Sequence, residues 1–317
     1  MDKENCYQSE TDLFSKEALQ TDVEEGFWDK IIPNTGFQNN NLVFDVPGTM
    51  EYVDLSETEL YVQCSIRKRS NTSTEETATH IDDTDKIGAA NNFLHTLFAS
   101  ASMSINEYPI ENANGSYAYR AYIENLLTYS QSAKETHLRR AMFIKDTPGE
   151  FENFTTKPKP TVLTAESKEK DIVTYLLEKE KKYNEGYNKR RNAFVAQNKV
   201  EMMGPLHLDM MNVNKYLLNN TPFRITLMRS EPGFCLIGTK GTSNYHVSID
   251  KAFLYVRKVR LSPSIMAIHL KGLQTMNCHY PVRRVVVNTY TFKPNLLNES
   301  INLYAGKMPR RIVLGFV

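Results

Sequence analysis

His207 and Asp209, in the stretch MMGPLHLDM, have types and spacing that suit chemistry. On a strand, residues two apart project from one face, so an imidazole and a carboxylate at i and i+2 meet the geometry of a base dyad or of two metal ligands. No third ligand or nucleophile accompanies them, and the expectation is a hydrogen-bonded structural pair. His95 lies within the apolar run NFLHTLFASASMSI and is expected as a satisfied core histidine. Cys278 and His279 are adjacent, and adjacent residues on a strand face opposite ways, so they do not form a Cys–His couple. The acidic HIDDTD at 80–85 gathers carboxylates that suit Ca²⁺. It lacks the glycine and distal glutamate of an EF-hand loop, and no metal is assigned to it.

Two basic tracts, Arg283-Arg284 and KMPRR at 307–311, flank expected strands. Isolated basic pairs are weak evidence for phosphate contact, and charges at strand ends also discourage unwanted edge pairing. The sequence holds no G-x-S-x-G elbow, no P-loop, no G-x-G-x-x-G after a strand and no H-E-x-x-H. No catalytic, cofactor-binding or metal-binding residue is therefore assigned, and no cofactor is expected.

The 38 Lys and Arg nearly balance the 37 Asp and Glu among 317 residues, so no global basic field draws the chain to nucleic acid or anionic lipid. The 17 tyrosines favour half-buried sheet faces and protein contacts. Cys6, Cys64, Cys235 and Cys278 share no short spacing, which argues against a zinc cluster. The opening MDKENCYQSETDLF lacks the apolar core of a signal peptide, and no stretch approaches the length of a membrane span. Synthesis in a reducing cytosol is expected, with Cys235 and Cys278 as thiols rather than a disulfide.

The elements that must position these residues read mainly as strands. Residues 1–41 are polar and irregular apart from Phe27-Trp28, and are expected to form an arm. Leu60, Val62, Cys64 and Ile66 alternate with polar neighbours, the period of a half-buried strand. Asn92–Ile105 reads as a strand, and YAYRAYIENLLTYS as a helix over 118–129. Its Tyr119, Tyr122, Ile123, Leu126 and Leu127 form one apolar stripe, which leaves Arg120 and Glu124 outward. Ser132 and Glu135 have capping-box spacing and predict a second short helix.

Residues 152–199 read as a charged helical insertion, with Ile172, Val173, Leu176 and Leu177 as a narrow stripe on a solvated helix over 166–191. Strands return at Phe223–Leu227 and at Tyr245–Leu261, the latter with a phase slip near Val256–Val259 that predicts a bulge. Val282–Phe292 and the terminal Ile312–Val317 are expected as further strands. The predicted buried set is Leu60, Val62, Cys64, Phe93, Leu97, Phe223, Ile225, Leu227, Val247, Ile249 and Leu254. Several strands with Pro, Gly and Asn punctuation predict a mainly β fold, a β-sandwich or jelly roll, with a few helices in its long loops.

Six stretches taken in order resemble a known family. They are VDLSETELYVQCSI with NNFLHTLFASASMSIN; YAYRAYIENLLTYSQSAKETHL with FIKDTPG; VEMMGPLHLDMMNVNKYLLNN with FRITLMRS; LYVRKVRLSPSIMAIH; YPVRRVVVNTYTF; and GKMPRRIVLGFV. Over about Leu42–Val317 they look like the hexon-type major capsid protein of Polinton (Maverick) elements and adintovirus relatives. More distantly they are similar to the capsid proteins of iridoviruses. The resemblance implies a structural, non-enzymatic protein with a double jelly roll that trimerises into capsomers of an icosahedral shell. Its implied partners are copies of itself, as a homotrimer, and other capsid proteins such as a penton, with no membrane and no specific nucleic acid. It also implies cytoplasmic synthesis, nuclear assembly and a place in a virion.

On that resemblance 42–275 is the first roll and 276–317 the start of a second, truncated roll, whether through domestication of an element or a broken gene. The relatives hold a shorter segment where 166–191 stands. A cytosolic β-sandwich that binds a protein or ligand is the alternative, and an unrecognised enzyme built on His207 and Asp209 a third.

Overall fold

A computed structural model describes residues 22–68, 79–111, 114–156, 182–238, 244–291, 300, 302 and 308–315. The chain opens with β1 (Val23–Ile31), β2 (Asn41–Val46), β3 (Tyr52–Lys68) and the short β4 (Ile87–Ala89). A single helical turn, α1 (Phe93–Thr96), leads into β5 (Phe98–Ile105) and β6 (Tyr108–Glu111). Helices α2 (Tyr117–Thr128), α3 (Gln131–Glu135) and α4 (Glu185–Gln197) precede β7 (Val200–Pro205). Then come β8 (Phe223–Arg229), the turn α5 (Pro232–Cys235), β9 (Leu236–Gly238), β10 (Tyr245–Leu261) and α6 (Pro263–Leu273).

Two four-stranded antiparallel sheets face each other, in the orders β1-β10-β3-β7 and β2-β8-β5-β6. The pairings are nested: β1 with β10, β2 with β8, β3 with β7 and β5 with β6. The lateral ladders β10·β3 and β8·β5 bind these couples into sheets. A chain that pairs its first strand with its last, its second with its second-last and so on inward is a folded-over hairpin wrapped into a barrel. Eight strands so wrapped are a jelly roll. The small β4·β9 ladder is a third, separate sheet.

Alternation explains why these residues make these strands. In β8, Phe223, Ile225 and Leu227 point inward while Arg224 and Met228 face water. In β2, Leu42, Phe44 and Val46 do the same from the paired strand. All eleven residues predicted as buried are buried, and all eleven belong to one contiguous apolar cluster. The phase slip of β10 is a register shift between Tyr255 and Arg257, at the Val256 end of the expected stretch, and a second shift falls between Ile249 and Lys251.

Several expectations are corrected. Val23–Ile31, expected inside a polar arm, is an edge strand of the first sheet, held by its ladder to β10 and by the Arg257 guanidinium 4.0 Å from the Trp28 ring centroid. The Asn92–Ile105 strand starts only at Phe98, because Phe93–Thr96 closes a helical turn behind Asn92 in the left-handed region (φ 57). The short helix is capped by Ser130 rather than Ser132, through the Ala133 N–H. The strand expected from Val282 onward is not formed: residues 282–291 lie outside any ladder, as do 312–315 of the terminal run. A strand needs a partner edge, and the described residues offer these two stretches none. Phe292, the tail residues 316–317 and the stripe at 172–177 lie outside the described residues.

The largest correction is to α2, which is rotated from the expected face. Tyr117, Ala118, Arg120, Ala121 and Asn125 are buried, whereas Leu127 is 56% exposed. Helix α4 departs in the same sense. Its Arg190 and Arg191, expected on a solvated face, are buried. The Arg190 guanidinium donates to Ala89 O at 2.9 Å, to Ile144 O and to Asp146 Oδ1 at 2.8 Å. Arg191 donates to Asp85 O at 2.8 Å and to Asp83 O at 2.8 Å. Buried guanidinium groups are tolerated here because backbone carbonyls and a carboxylate satisfy their fork of donors.

Candidate functional site

The polar residues that sequence spacing singled out converge beside α2. Arg120 forms the hub. Its Nε donates to Glu124 Oε1 at 2.9 Å, one turn along the same helix, and its Nη2 to Asp209 Oδ1 at 2.7 Å. Its Nη1 donates to Glu111 Oε1 at 2.5 Å. Glu111 is the last residue of β6, and Asp209 opens the 3₁₀ turn Asp209–Asn212 that follows β7. One guanidinium thus joins three elements that the chain visits far apart. Glu111 also accepts the backbone N–H of Asp209 at 2.7 Å.

His207 and Asp209 do not form the expected pair. Each is buried and each enters the same cluster by a different route: His207 Nδ1 meets Glu124 Oε2 at 2.7 Å, and Asp209 meets Arg120. His95, on α1, is buried as expected and bonded to the Tyr117 hydroxyl at 3.1 Å. That hydroxyl also accepts the His207 N–H at 3.4 Å.

The electrostatics follow from burial and pairing. Burial alone would raise the Glu124 carboxyl, but the bonds from His207 and Arg120 outweigh it and hold it below the usual carboxylate range. For Glu111 burial wins over the Asp209 N–H and Arg120, and its carboxyl is raised. Burial penalises the charge on Arg120, yet Glu124, Asp209 and Glu111 together push its pKa up. Burial also raises the Tyr117 phenol. Both oxygens of Glu124 and of Glu111 are engaged, so these carboxylates tie separate elements of the fold together. The sequence signal for this hub was the Arg120–Glu124 spacing of four; Glu111 and Asp209 could be assigned to it only from the fold.

The remaining candidates lie apart. The acidic 80–85 loop is closed by a lysine: Lys68 Nζ bridges Asp82 Oδ2 at 2.9 Å and Asp85 Oδ2 at 2.8 Å, and Tyr245 donates to Asp85 Oδ1 at 2.9 Å. The ammonium stands where a cation would have to sit. Cys64, Cys235 and Cys278 are free thiols; the first two are buried, and burial raises Cys64 and pushes Cys235 up to about 12. Cys278 and His279 are exposed. Arg283 is exposed, while Arg284 Nε stands 4.0 Å from Asp209 Oδ2. Of the 307–311 tract, residues 308–311 are exposed and Lys307 lies outside the described residues. Among the described residues no group of three or more His, Cys, Asp or Glu is placed to hold a metal, and no helix is long and apolar enough to cross a membrane.

The fold therefore defines a jelly-roll protein of antiparallel sheets with a few helices in its excursions. No protein-family model matches the chain. It is similar to an uncharacterized protein of Caenorhabditis elegans, 21% identical over 305 residues that make up 95% of this chain and 65% of that protein. Among solved structures it is similar to the Faustovirus major capsid protein, with 13% identity and a TM-score of 0.47 over 82% of this chain and 58% of that one. It is also similar to a chain of the Sputnik virophage, with 10% identity and a TM-score of 0.43 over 83% of this chain and 53% of that one. For the mavirus major capsid protein the figures are 13%, 0.38, 83% and 52%. The chain thus spans little more than half the length of these solved chains, and its class rests on its own strand order.

Proposed function

We propose that this chain is a structural building block of a capsid-type shell, a hexon-like major capsid protein that works by self-association. The nested eight-strand order carries the proposal. Jelly rolls of eight strands serve in viral capsids, lectins and cupins. An enzyme or ligand carrier needs a concave site with a few convergent polar groups. Here the space between the sheets is filled by apolar side chains such as Phe44, Leu60, Val62, Ile225 and Leu254. The polar groups that do converge, around Arg120, are occupied with one another. The ordered series of six motifs resembling Polinton-type capsid proteins supports the same assignment.

On this proposal the capsomer is a homotrimer, its neighbours in the shell include a penton-type protein, and the chain derives from a Polinton or Maverick element. The stretch from residue 276 leads toward a second roll. Mass photometry and light scattering on purified protein test the proposal. A trimeric mass, or closed shells seen by electron microscopy, is expected. A strictly monomeric chain across the micromolar range would refute it.

A further inference from the structure

His95 sits on α1, which contacts α2, β5, β7, α5 and the 3₁₀ turn His137–Ala141. Its ring centroid lies 4.7 Å from that of His207, at an interplanar angle of 79°. The Tyr117 hydroxyl touches both residues, bonding to Nδ1 of one and the backbone N–H of the other. The Nε2 of His207 is buried with no hydrogen-bond partner. We propose that His95, packed against His207, is an acid-operated catch, which holds α1, α2 and the 206–212 segment together at neutral pH and releases them when the His95 ring takes up a proton.

The groups that face the His95 ring offer it no counter-ion. From α2 come Tyr117 and Glu124; Tyr117 is a buried phenol, and Glu124 is already shared between His207 and Arg120. Beyond Glu124 stand Arg120, Glu111 and Asp209, mutually paired. From β7 the neighbour is the backbone of Gly204, where even a Cβ would come within 3.9 Å of His95 Nε2. From α5 the titratable group is the buried thiol of Cys235, and the 3₁₀ turn keeps His137, Arg139 and Arg140 at the surface. A charge on the His95 ring would be buried without a counter-ion in a medium that screens poorly.

Burial first, and the nearby His207 charge second, hold His95 well below its ordinary value of 6.5. The sign follows from proton counting. Below about pH 6.5 the unfolded or opened imidazole binds a proton that the closed one refuses, so the opening constant rises by up to about tenfold per pH unit as pH falls. Opening also reaches the stretch after α6. Asp209, in the same cluster, accepts the Val285 N–H at 3.2 Å, and the Tyr280 hydroxyl accepts the Leu218 N–H at 3.0 Å.

Denaturant unfolding of the full chain between about pH 7 and about pH 5 tests the catch, in wild type and in His95→Asn, which keeps a polar atom near Nδ1. The wild-type unfolding constant is expected to rise by up to about tenfold more per pH unit than that of the variant. Equal pH slopes would overturn the proposal. Should the variant not fold at neutral pH, NMR of the wild-type chain decides. A His95 ring that stays uncharged below about pH 6, while acid lowers the protection factor of the Val285 amide, supports the catch. A His95 ring that titrates near its ordinary value in the folded chain, with Val285 protection unchanged, overturns it.

Discussion

Arg120 bonds three carboxylates with one guanidinium, so its side chain is the shared partner that lets them sit together in a buried site. Replacing it with Met, of similar length, would leave Glu111, Glu124 and Asp209 facing one another in a buried site. Removing one partner from a buried ion network costs about 3–5 kcal/mol, because the desolvated charges left behind lose their compensation. The pH dependence of the Glu124 contribution should change sign with the substitution. In wild type the depressed Glu124 carboxyl contributes stability that is complete above its ordinary value of 4.5 and is lost as pH falls through its lowered folded value. In Arg120→Met burial dominates and raises the folded carboxyls, so the variant should recover part of its deficit between about pH 7 and about pH 5. Urea denaturation at the two pH values measures both effects. A variant deficit that widens with acid would refute this account of the hub.

At the scale of elements, α2 shows how a stripe of large apolar residues misleads. Tyr122, Ile123 and Leu126 are only half-buried, whereas the small Ala121 is fully buried. Ala121→Asp should therefore destabilise the roll by several kcal/mol and Ile123→Asp by less, as thermal melts of the two variants would show. Helix α4 gives a second test, since a Cβ on Gly186 would lie 2.2 Å from Lys145 O. Glycine to alanine in a helix ordinarily stabilises by about 1 kcal/mol. Here the close backbone approach should reverse the sign, and Gly186→Ala should lower stability by about 1–3 kcal/mol. These faces were illegible in the sequence because they are set by partners far along the chain; Arg120 and Asp209 are 89 residues apart. The strands β3, β8 and β10 were legible because one face of each meets the core, which imprints a period of two on residues such as Leu60, Val62 and Cys64. Strand β1 carries no such imprint. It is an edge strand with Trp28 53% exposed, and its identity comes from its ladder to β10.

Across the whole molecule, the nested pairing joins residues more than two hundred positions apart, such as Val23 with Leu261, so the barrel closes as a unit or not at all. That unity separates mutations of the roll from mutations of the surface through which copies would associate. Leu227 is fully buried between the sheets, and Leu227→Ala should cost about 2–5 kcal/mol and lower the melting temperature. Ile312 and Leu314 are 60% and 70% exposed and stand outside any ladder. Full burial of such side chains at a contact is worth about 1.5–3 kcal/mol each, enough to shift an association constant by one to several orders of magnitude. A short apolar, β-prone run with free backbone groups also invites strand addition. Ile312→Lys with Leu314→Lys should therefore leave the melting temperature of the isolated roll unchanged while reducing the mass measured by light scattering at matched concentration. Should the double variant melt earlier than wild type and keep its full assembled mass, the 308–315 run would be a part of the folded roll rather than a surface through which copies meet.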